Sequence, residues 1–297
     1  MKDETATNHA AQIPESAYIK LLNSIVRIKA KGQGTGFLLK FKKKNKQFFS
    51  LFTNHHVIPE DLVNSKTIIN IEYGIKGSET IKQIKLDKNQ REIFCFEKPK
   101  DVTVIEILES DNIPEDKYLL LDINYKNEGF NIYSNCDFYL AGYPSVDDIY
   151  NQYKGERHLS SGKIKKIFNH FEFEHTLDTR SGSSGSPICL ISNKCAIGIH
   201  KSGNKNTFIN KGTFIGTILD ELENDGITIY CRYYNKRREE IKVNPNDRIS
   251  ILRNKLNIND PNYRFAFKCP LNEEKTFQFY HIVNKSCIII VPIVEGG

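Results

Sequence analysis

Three short stretches hold residue types that can do nucleophilic chemistry together. The first is Thr53-Asn54-His55-His56-Val57-Ile58, which follows an apolar run over residues 48–52. The second is Asp101-Val102-Thr103-Val104-Ile105-Glu106-Ile107, and the third is Gly182-Ser183-Ser184-Gly185-Ser186-Pro187. A serine hydroxyl is a weak nucleophile at neutral pH and needs a base of suitable pKa within hydrogen-bond reach. Imidazole fits that task, and a buried carboxylate beside it fixes the tautomer and stabilises the imidazolium. Glycines flanking the serine allow a tight turn that aims backbone N–H groups at a developing oxyanion. Each stretch alone is commonplace, since a Gly-x-Ser-Gly string is usually only a turn. Their combination in the order His, Asp, Ser, separated by 45 and 83 residues, is what points to chemistry. Either His55 or His56 could be the base. Asp87 and Asp111 are alternatives to Asp101, but only Asp101 opens an alternating Val-x-Val-x-Glu-Ile strand.

The elements that must hold these residues are mostly short strands. Apolar and β-branched runs over 24–29, 36–41, 48–53, 66–71 and 102–107 are separated by turn residues, a pattern that favours a barrel or sandwich. The Lys42-Lys43-Lys44-Asn45-Lys46 run between two of them reads as a solvated hairpin tip. A short helix is expected over 14–22. Ile215, Ile218, Leu219 and Leu222 follow helical spacing and should close a first module before Asn224-Asp225-Gly226. A second pattern starts at Ile227 as strand, turn, strand, helix and further strands. Its helix should begin near Asn246 or Asp247 and bury Ile249, Leu252 and Leu256.

Composition agrees with a folded chain of about two domains. Of 297 residues, 39% are hydrophobic and 26% charged. The longest apolar run, over residues 287–294, is too short to span a bilayer, and the first residues lack the apolar core of a signal peptide. The seven cysteines stand singly with no Cys-x-x-Cys pair, so neither zinc nor a disulfide framework is expected. Free thiols suit a reducing, cytoplasmic setting. No metal or organic cofactor and no membrane partner is implied. The net charge is +6, of which residues 226–297 carry +5 from 12 Lys+Arg and 7 Asp+Glu. No aromatic-plus-basic binding motif accompanies this excess, so it is read as a solvated basic face rather than a nucleic-acid site.

Residues 17–223 resemble trypsin/chymotrypsin-like serine proteases, in which His, Asp and Ser occur in this chain order. Gly34-Thr35-Gly36-Phe37 and Ala141-Gly142-Tyr143-Pro144 support the likeness. The family's catalytic histidine directly precedes a small apolar residue, which selects His56, before Val57. The resemblance implies an all-β double barrel with His56 as general base, Asp101 as its orienting carboxylate and Ser184 as nucleophile. It also implies an oxyanion hole from the N–H groups of Gly182 and Ser184. The activation-site Ile-Val-Gly-Gly sequence of digestive trypsins is absent, which suits an enzyme folded active as made.

Downstream of the serine, Gly198-Ile199-His200 followed by Gly203 is similar to bacterial glutamyl endopeptidases and to chymotrypsin-fold processing proteases of positive-strand RNA viruses. In these groups, a histidine here and a threonine five residues before the nucleophile contact the substrate side chain before the cut. Here those positions are His200 and Thr179, which suits Glu or Gln. Asp178, six residues before the serine, keeps Arg/Lys specificity as the rival expectation.

Residues 226–297 resemble ubiquitin, on Val243, Pro245, Asp247, Ile249 and Lys255 and then on Leu271, Thr276, Tyr280, Ile282, Ser286, Val291 and the terminal Gly296-Gly297. The resemblance implies an α+β β-grasp domain. It places Tyr234, Phe265 and Val291 at ubiquitin's apolar contact patch and makes Gly296 and Gly297 a conjugation terminus. The expected chain is thus a polar extension (1–16), a serine endopeptidase domain (17–223) and a ubiquitin-like domain (226–297). Its partners would be a protein or peptide substrate and, for a conjugated tail, a ubiquitin-like activating enzyme and target lysines. Glu221 and Glu223 at the seam would allow self-release of the modifier by a Glu-directed protease. The alternative is a docking or conjugated effector that carries an inactive or partner-directed protease domain.

Overall fold

The computed structural model describes residues 15–30, 32–74, 77–143, 157–168, 171–204, 209–223, 226–233, 238–243, 247–277, 279–280, 282 and 285–293. The chain divides into two compact units, residues 1–219 and 220–297.

The first unit opens with helix α1 (Glu15–Ser24). Strands β1 (Ile25–Lys29), β2 (Gln33–Lys43), β3 (Lys46–Thr53), β4 (Ile68–Tyr73), β5 (Thr80–Lys85), β6 (Ile93–Phe96), β7 (Val102–Glu106) and β8 (Leu119–Leu120) follow, with the short helix α2 (Glu60–Asn64) between β3 and β4. They form one eight-stranded sheet in the order β5-β4-β1-β2-β3-β7-β6, with β8 pairing parallel to β2. Strand β2 is buried on both faces from Gly34 to Leu39, as its central place in the sheet requires. The β2–β3 hairpin turns at Lys44 and Asn45, both at positive φ (48° and 64°), the mirror-image turn that suits a twisted hairpin. Val26, Ile28, Leu38, Leu51, Ile69, Ile71 and Ile105 fill one core beneath this sheet.

Strands β9 (Asp137–Gly142), β10 (His158–Ile167), β11 (Glu172–His175), β12 (Pro187–Leu190), β13 (Ala196–Asn204) and β14 (Ile209–Phe214) close into a barrel in the order β10-β11-β14-β13-β12-β9. Closure leaves no free edge. Its interior packs Phe173 against Phe214, with ring centroids 4.4 Å apart and the rings tilted by 35°, among Phe138, Leu140, Ile188 and Ile197. A four-residue helix, α3 (Tyr125–Glu128), precedes this barrel. Helix α4 (Ile215–Glu223) follows it, with Ile215, Ile218, Leu219 and Leu222 buried as their spacing predicts.

The second unit is a mixed sheet of β15 (Ile227–Tyr233), β16 (Arg238–Val243), β17 (Tyr263–Phe267), β18 (Cys269–Pro270) and β19 (Cys287–Pro292), in the order β16-β15-β19-β17-β18. Strands β15 and β19 are parallel and the other pairs antiparallel. Ile249, Leu252 and Leu256 are buried as expected, against Ile229, Phe265, Phe277 and Ile290. The helix that carries Leu252, α5 (Ile251–Lys255), starts later than Asp247. The Asp247 carbonyl, which a helix starting there would offer to Ile251, instead accepts from the Phe277 N–H, and Arg248 bridges Thr276, which delays the helix. Phe265 is 1% exposed and belongs to this core, so it cannot serve a contact patch. Ala266 and Ile289, register partners across β17 and β19, lie outside that buried set, and Ile289 is exposed. Tyr234, Gly296 and Gly297 lie outside the described residues. All seven cysteines are unpaired. Among the described residues no helix is long and apolar enough to cross a membrane.

Candidate active site

His56 stands on a single helical turn at the end of β3. The N–H groups of Val57 and Ile58 both donate to Asn54 O at 3.1 Å, which curls the chain and leaves the His56 ring partly open to solvent. Asp101 stands immediately before β7 and is 4% exposed. Its two carboxylate oxygens divide their work. The N–H of His56 donates to Oδ1 at 3.0 Å, and His56 Nδ1 lies 2.7 Å from Oδ2. A carboxylate only accepts, so Nδ1 carries a proton, and in the neutral ring Nε2 presents its lone pair. Asp101 adopts a left-handed backbone (φ 57°), rare for a residue with a side chain. The two rival carboxylates are engaged elsewhere: Asp87 with Lys66, Lys85 and the Asn89 N–H, and Asp111 with Arg91 and the Leu108 N–H. His55 is half-buried and its Nε2 has no partner among the described residues.

Ser184 lies on the turn before β12. Gly182 and Gly185 both take φ 90°, a conformation that favours glycine. At Gly185 space forbids a side chain as well, because a Cβ would fall 1.9 Å from Thr35 O. Backbone donors in this turn alternate. The Ser183 N–H donates to Arg180 O (2.9 Å), the Gly185 N–H to His200 O (2.9 Å) and the Ser186 N–H to Ser183 O (3.0 Å). Among the described residues the N–H groups of Gly182 and Ser184 donate to no protein acceptor. Two unspent donors flanking a serine hydroxyl can receive an anionic oxygen.

Thr35, fully buried in β2, ties this turn to the histidine. Its N–H donates to Ser184 O (3.0 Å) and its hydroxyl to Gly182 O (2.8 Å). Its carbonyl accepts from Thr53 Oγ1 (2.8 Å), three residues before His56. The Ser184 hydroxyl makes no hydrogen bond among the described residues, so it is not joined to His56 by one. Such contacts are commonly long in a site without substrate and tighten when it binds.

His200, in β13, is locked to the same turn, since its N–H donates to Ser186 O at 2.9 Å. Its ring is buried, and His200 Nδ1 lies 3.2 Å from Nε2 of His175, which is also buried. Sequence patterning missed His175, because Glu172-Phe-Glu-His175 reads as an ordinary alternating strand. Thr179 donates its hydroxyl proton to Asn210 Oδ1 (2.9 Å), and Asn210 Nδ2 donates to Leu177 O (2.7 Å). Asp178 points outward, with its side chain 70% exposed and an oxygen 3.4 Å from His158 Nε2.

Burial pushes His200 down to about 3, with the neighbouring His56 as the second cause. Burial, and then His200, hold His175 well below the ordinary imidazole value. Both rings are therefore neutral in the folded chain near neutral pH, while an unfolded chain protonates each near pH 6.5. Their contribution to stability is complete above about pH 6.5 and is lost as pH falls toward the depressed folded values. The loss is about 1.4 kcal/mol per pH unit for one such group. Thermal unfolding should show a Tm that drops between pH 7 and pH 5, with a shallower drop for His200→Asn. Equal slopes for the two proteins would contradict the buried neutral pair.

Neither a protein-family model nor a curated protein sequence matches the chain. Solved structures do. A Glu endopeptidase, solved in complex with MPD, is similar at 19% identity with a TM-score of 0.51, covering 71% of this chain and 93% of that one. The serine endoprotease from Yersinia pestis is similar at 15% identity with a TM-score of 0.50, covering 79% of this chain and 77% of that one. The closed barrel and the eight-stranded sheet of the first unit thus have the chymotrypsin-like serine protease fold.

Proposed function

We propose that the chain is a serine endopeptidase. His56 Nε2 takes the proton of Ser184 Oγ as the oxygen attacks a peptide carbonyl. The oxyanion is received by the N–H groups of Gly182 and Ser184. His56 then protonates the leaving amine, and water repeats the sequence on the acyl-enzyme. The observation that carries this reading is the buried Asp101 carboxylate gripping both the backbone N–H and Nδ1 of His56, at 3.0 and 2.7 Å.

The pocket chemistry favours Gln, then Glu, before the cut. In the tautomer in which His175 Nε2–H donates to Nδ1, a neutral His200 has only its Nε2–H to offer, and that donor suits a side-chain carbonyl. The Thr179 proton is committed to Asn210, so its oxygen can accept from a carboxamide N–H. A carboxamide satisfies both groups, while a carboxylate satisfies one. The Asp178 side chain is 70% exposed, which weighs against its lining a pocket for Arg or Lys. Purified wild type and Ser184→Ala should be given a mixed peptide library and the cut sites mapped by mass spectrometry. Cuts after Gln and Glu that vanish in Ser184→Ala are expected. Cuts after Arg and Lys would overturn the pocket assignment, and cuts that survive in Ser184→Ala would overturn the mechanism.

Residues 226–297 are proposed as a ubiquitin-like β-grasp domain, supported by the order β16-β15-β19-β17-β18, the parallel central pair and the packed helix α5. At the seam, Glu221 lies inside α4 and Glu223 is its last residue. A protease binds its substrate extended, so a helical seam resists cutting. This favours a second reading, in which the chain stays whole and the C-terminal unit docks the protease onto its substrate. Conjugation through Gly297 would be a separate property, tested by Gly297→Ala.

A further inference from the structure

Three consecutive carbonyls of the Asp101 loop are each held by a side chain from another element. Lys201 Nζ donates to Pro99 O at 2.7 Å, Thr213 Oγ1 donates to Lys100 O at 2.7 Å, and Asn54 Nδ2 donates to Asp101 O at 2.8 Å. Asn54 belongs to the turn that bears His56. Lys201 and Thr213 come from β13 and β14, strands of the closed barrel that also carries Ser184. Both are buried, at 8% and 0% exposure.

The local structure explains how a lysine comes to point there. The β13–β14 register shifts between His200 and Ser202, which makes Lys201 the extra residue of a bulge. A bulge re-aims the side chain it carries. A buried ammonium requires a partner, and Glu172 Oε1 stands 3.1 Å away, with Lys211 Nζ 3.3 Å from the same oxygen. Glu172 is the register partner of Thr213 across β11 and β14, so the clamp and its counter-charge share one patch of barrel wall. What they hold is an aspartate in the left-handed region, a conformation uncommon for a residue with a side chain.

We propose that Lys201 and Thr213 are positioning residues for Asp101. From the closed barrel they fix the loop whose carboxylate orients His56, so the serine's own barrel also aims the carboxylate. The inference rests on the serine-protease reading above, and its test separates the two. Full-length Thr213→Val removes only the hydroxyl, Thr213→Ser keeps it, and Lys201→Met removes the ammonium at similar length. A 1 Å displacement at such a site costs about a hundredfold in rate. Thr213→Val and Lys201→Met should therefore lower kcat by about that factor with KM unchanged, and Thr213→Ser should stay near wild type.

The proton shared by His56 Nδ1 and Asp101 gives a second readout that needs no turnover. Its downfield proton resonance should be present in wild type, Ser184→Ala and Thr213→Ser, and weakened or lost in Thr213→Val and Lys201→Met. Retention of the resonance and of kcat in those two variants would overturn the proposal. So would equal damage by Thr213→Ser and Thr213→Val, or a wild type without the resonance. A wild type that cuts no peptide would overturn the protease reading instead, and the resonance alone would then decide the positioning role.

Discussion

Ser184→Ala is expected to remove peptide hydrolysis, with kcat falling by about a millionfold, the scale seen when a serine nucleophile is deleted from a working triad. That corresponds to about 8 kcal/mol of lost transition-state stabilisation. The loss falls on kcat because the hydroxyl makes no hydrogen bond among the described residues and becomes bonded only when Oγ attacks. The substitution adds no atom to the turn, so Gly182, Gly185 and the bond from the Thr35 N–H to Ser184 O persist and the fold is retained. Steady-state kinetics on a Gln-containing peptide, with thermal melts of both proteins, would test this. Hydrolysis within tenfold of wild type would mean that another residue is the nucleophile.

Asp101→Asn is expected to lower kcat by about ten-thousandfold, because it changes a tautomer rather than a shape. The carboxylate accepts from both the N–H and Nδ1 of His56. A carboxamide has one accepting oxygen. If that oxygen keeps the backbone bond, its NH2 group faces Nδ1 and forces the imidazole proton onto Nε2, where it blocks proton transfer from Ser184. Asparagine also tolerates φ 57° better than most residues, so the backbone of the loop should survive. Asp101→Ala should behave differently, losing activity and also about 1–2 kcal/mol of stability through left-handed strain. Parallel kinetics and chemical denaturation of the two variants separate the effects. Near-wild-type kcat in a folded Asp101→Asn would remove Asp101 from the mechanism.

The parts of this site that could be read in advance are those encoded by local strings. A serine between glycines, an aspartate opening an alternating strand and a histidine ending an apolar strand each have a mechanical reason for their neighbours. The same holds for the buried stripe Ile215, Ile218, Leu219 and Leu222, whose spacing alone sets the helix. What could not be read depends on partners distant in sequence. His175 meets His200 only because the barrel closes, and nothing in its own strand marks it. Lys201 looks like one more surface lysine in a basic chain until a bulge turns it inward onto Pro99. The likeness to ubiquitin puts Phe265 on a contact face, but a likeness at low identity leaves β-strand parity open to a slip of one residue, and such a slip exchanges the two faces. Helix α5 starts later than its capping residues suggest because Asp247 O and Arg248 are engaged by Phe277 and Thr276, a tertiary contact that no capping residue announces.

The central claim is that Ser184 is an activated nucleophile beside two waiting amide donors. It is met most directly by intact-mass measurement after exposure of the full chain to a fluorophosphonate, which reacts with activated serines. Wild type should gain the mass of one adduct, mapped by peptide digestion to Ser184. Ser184→Ala should gain none, and Asp101→Asn should gain it far more slowly. A folded wild type that stays unlabelled, or an adduct that forms equally in Ser184→Ala, would contradict the account.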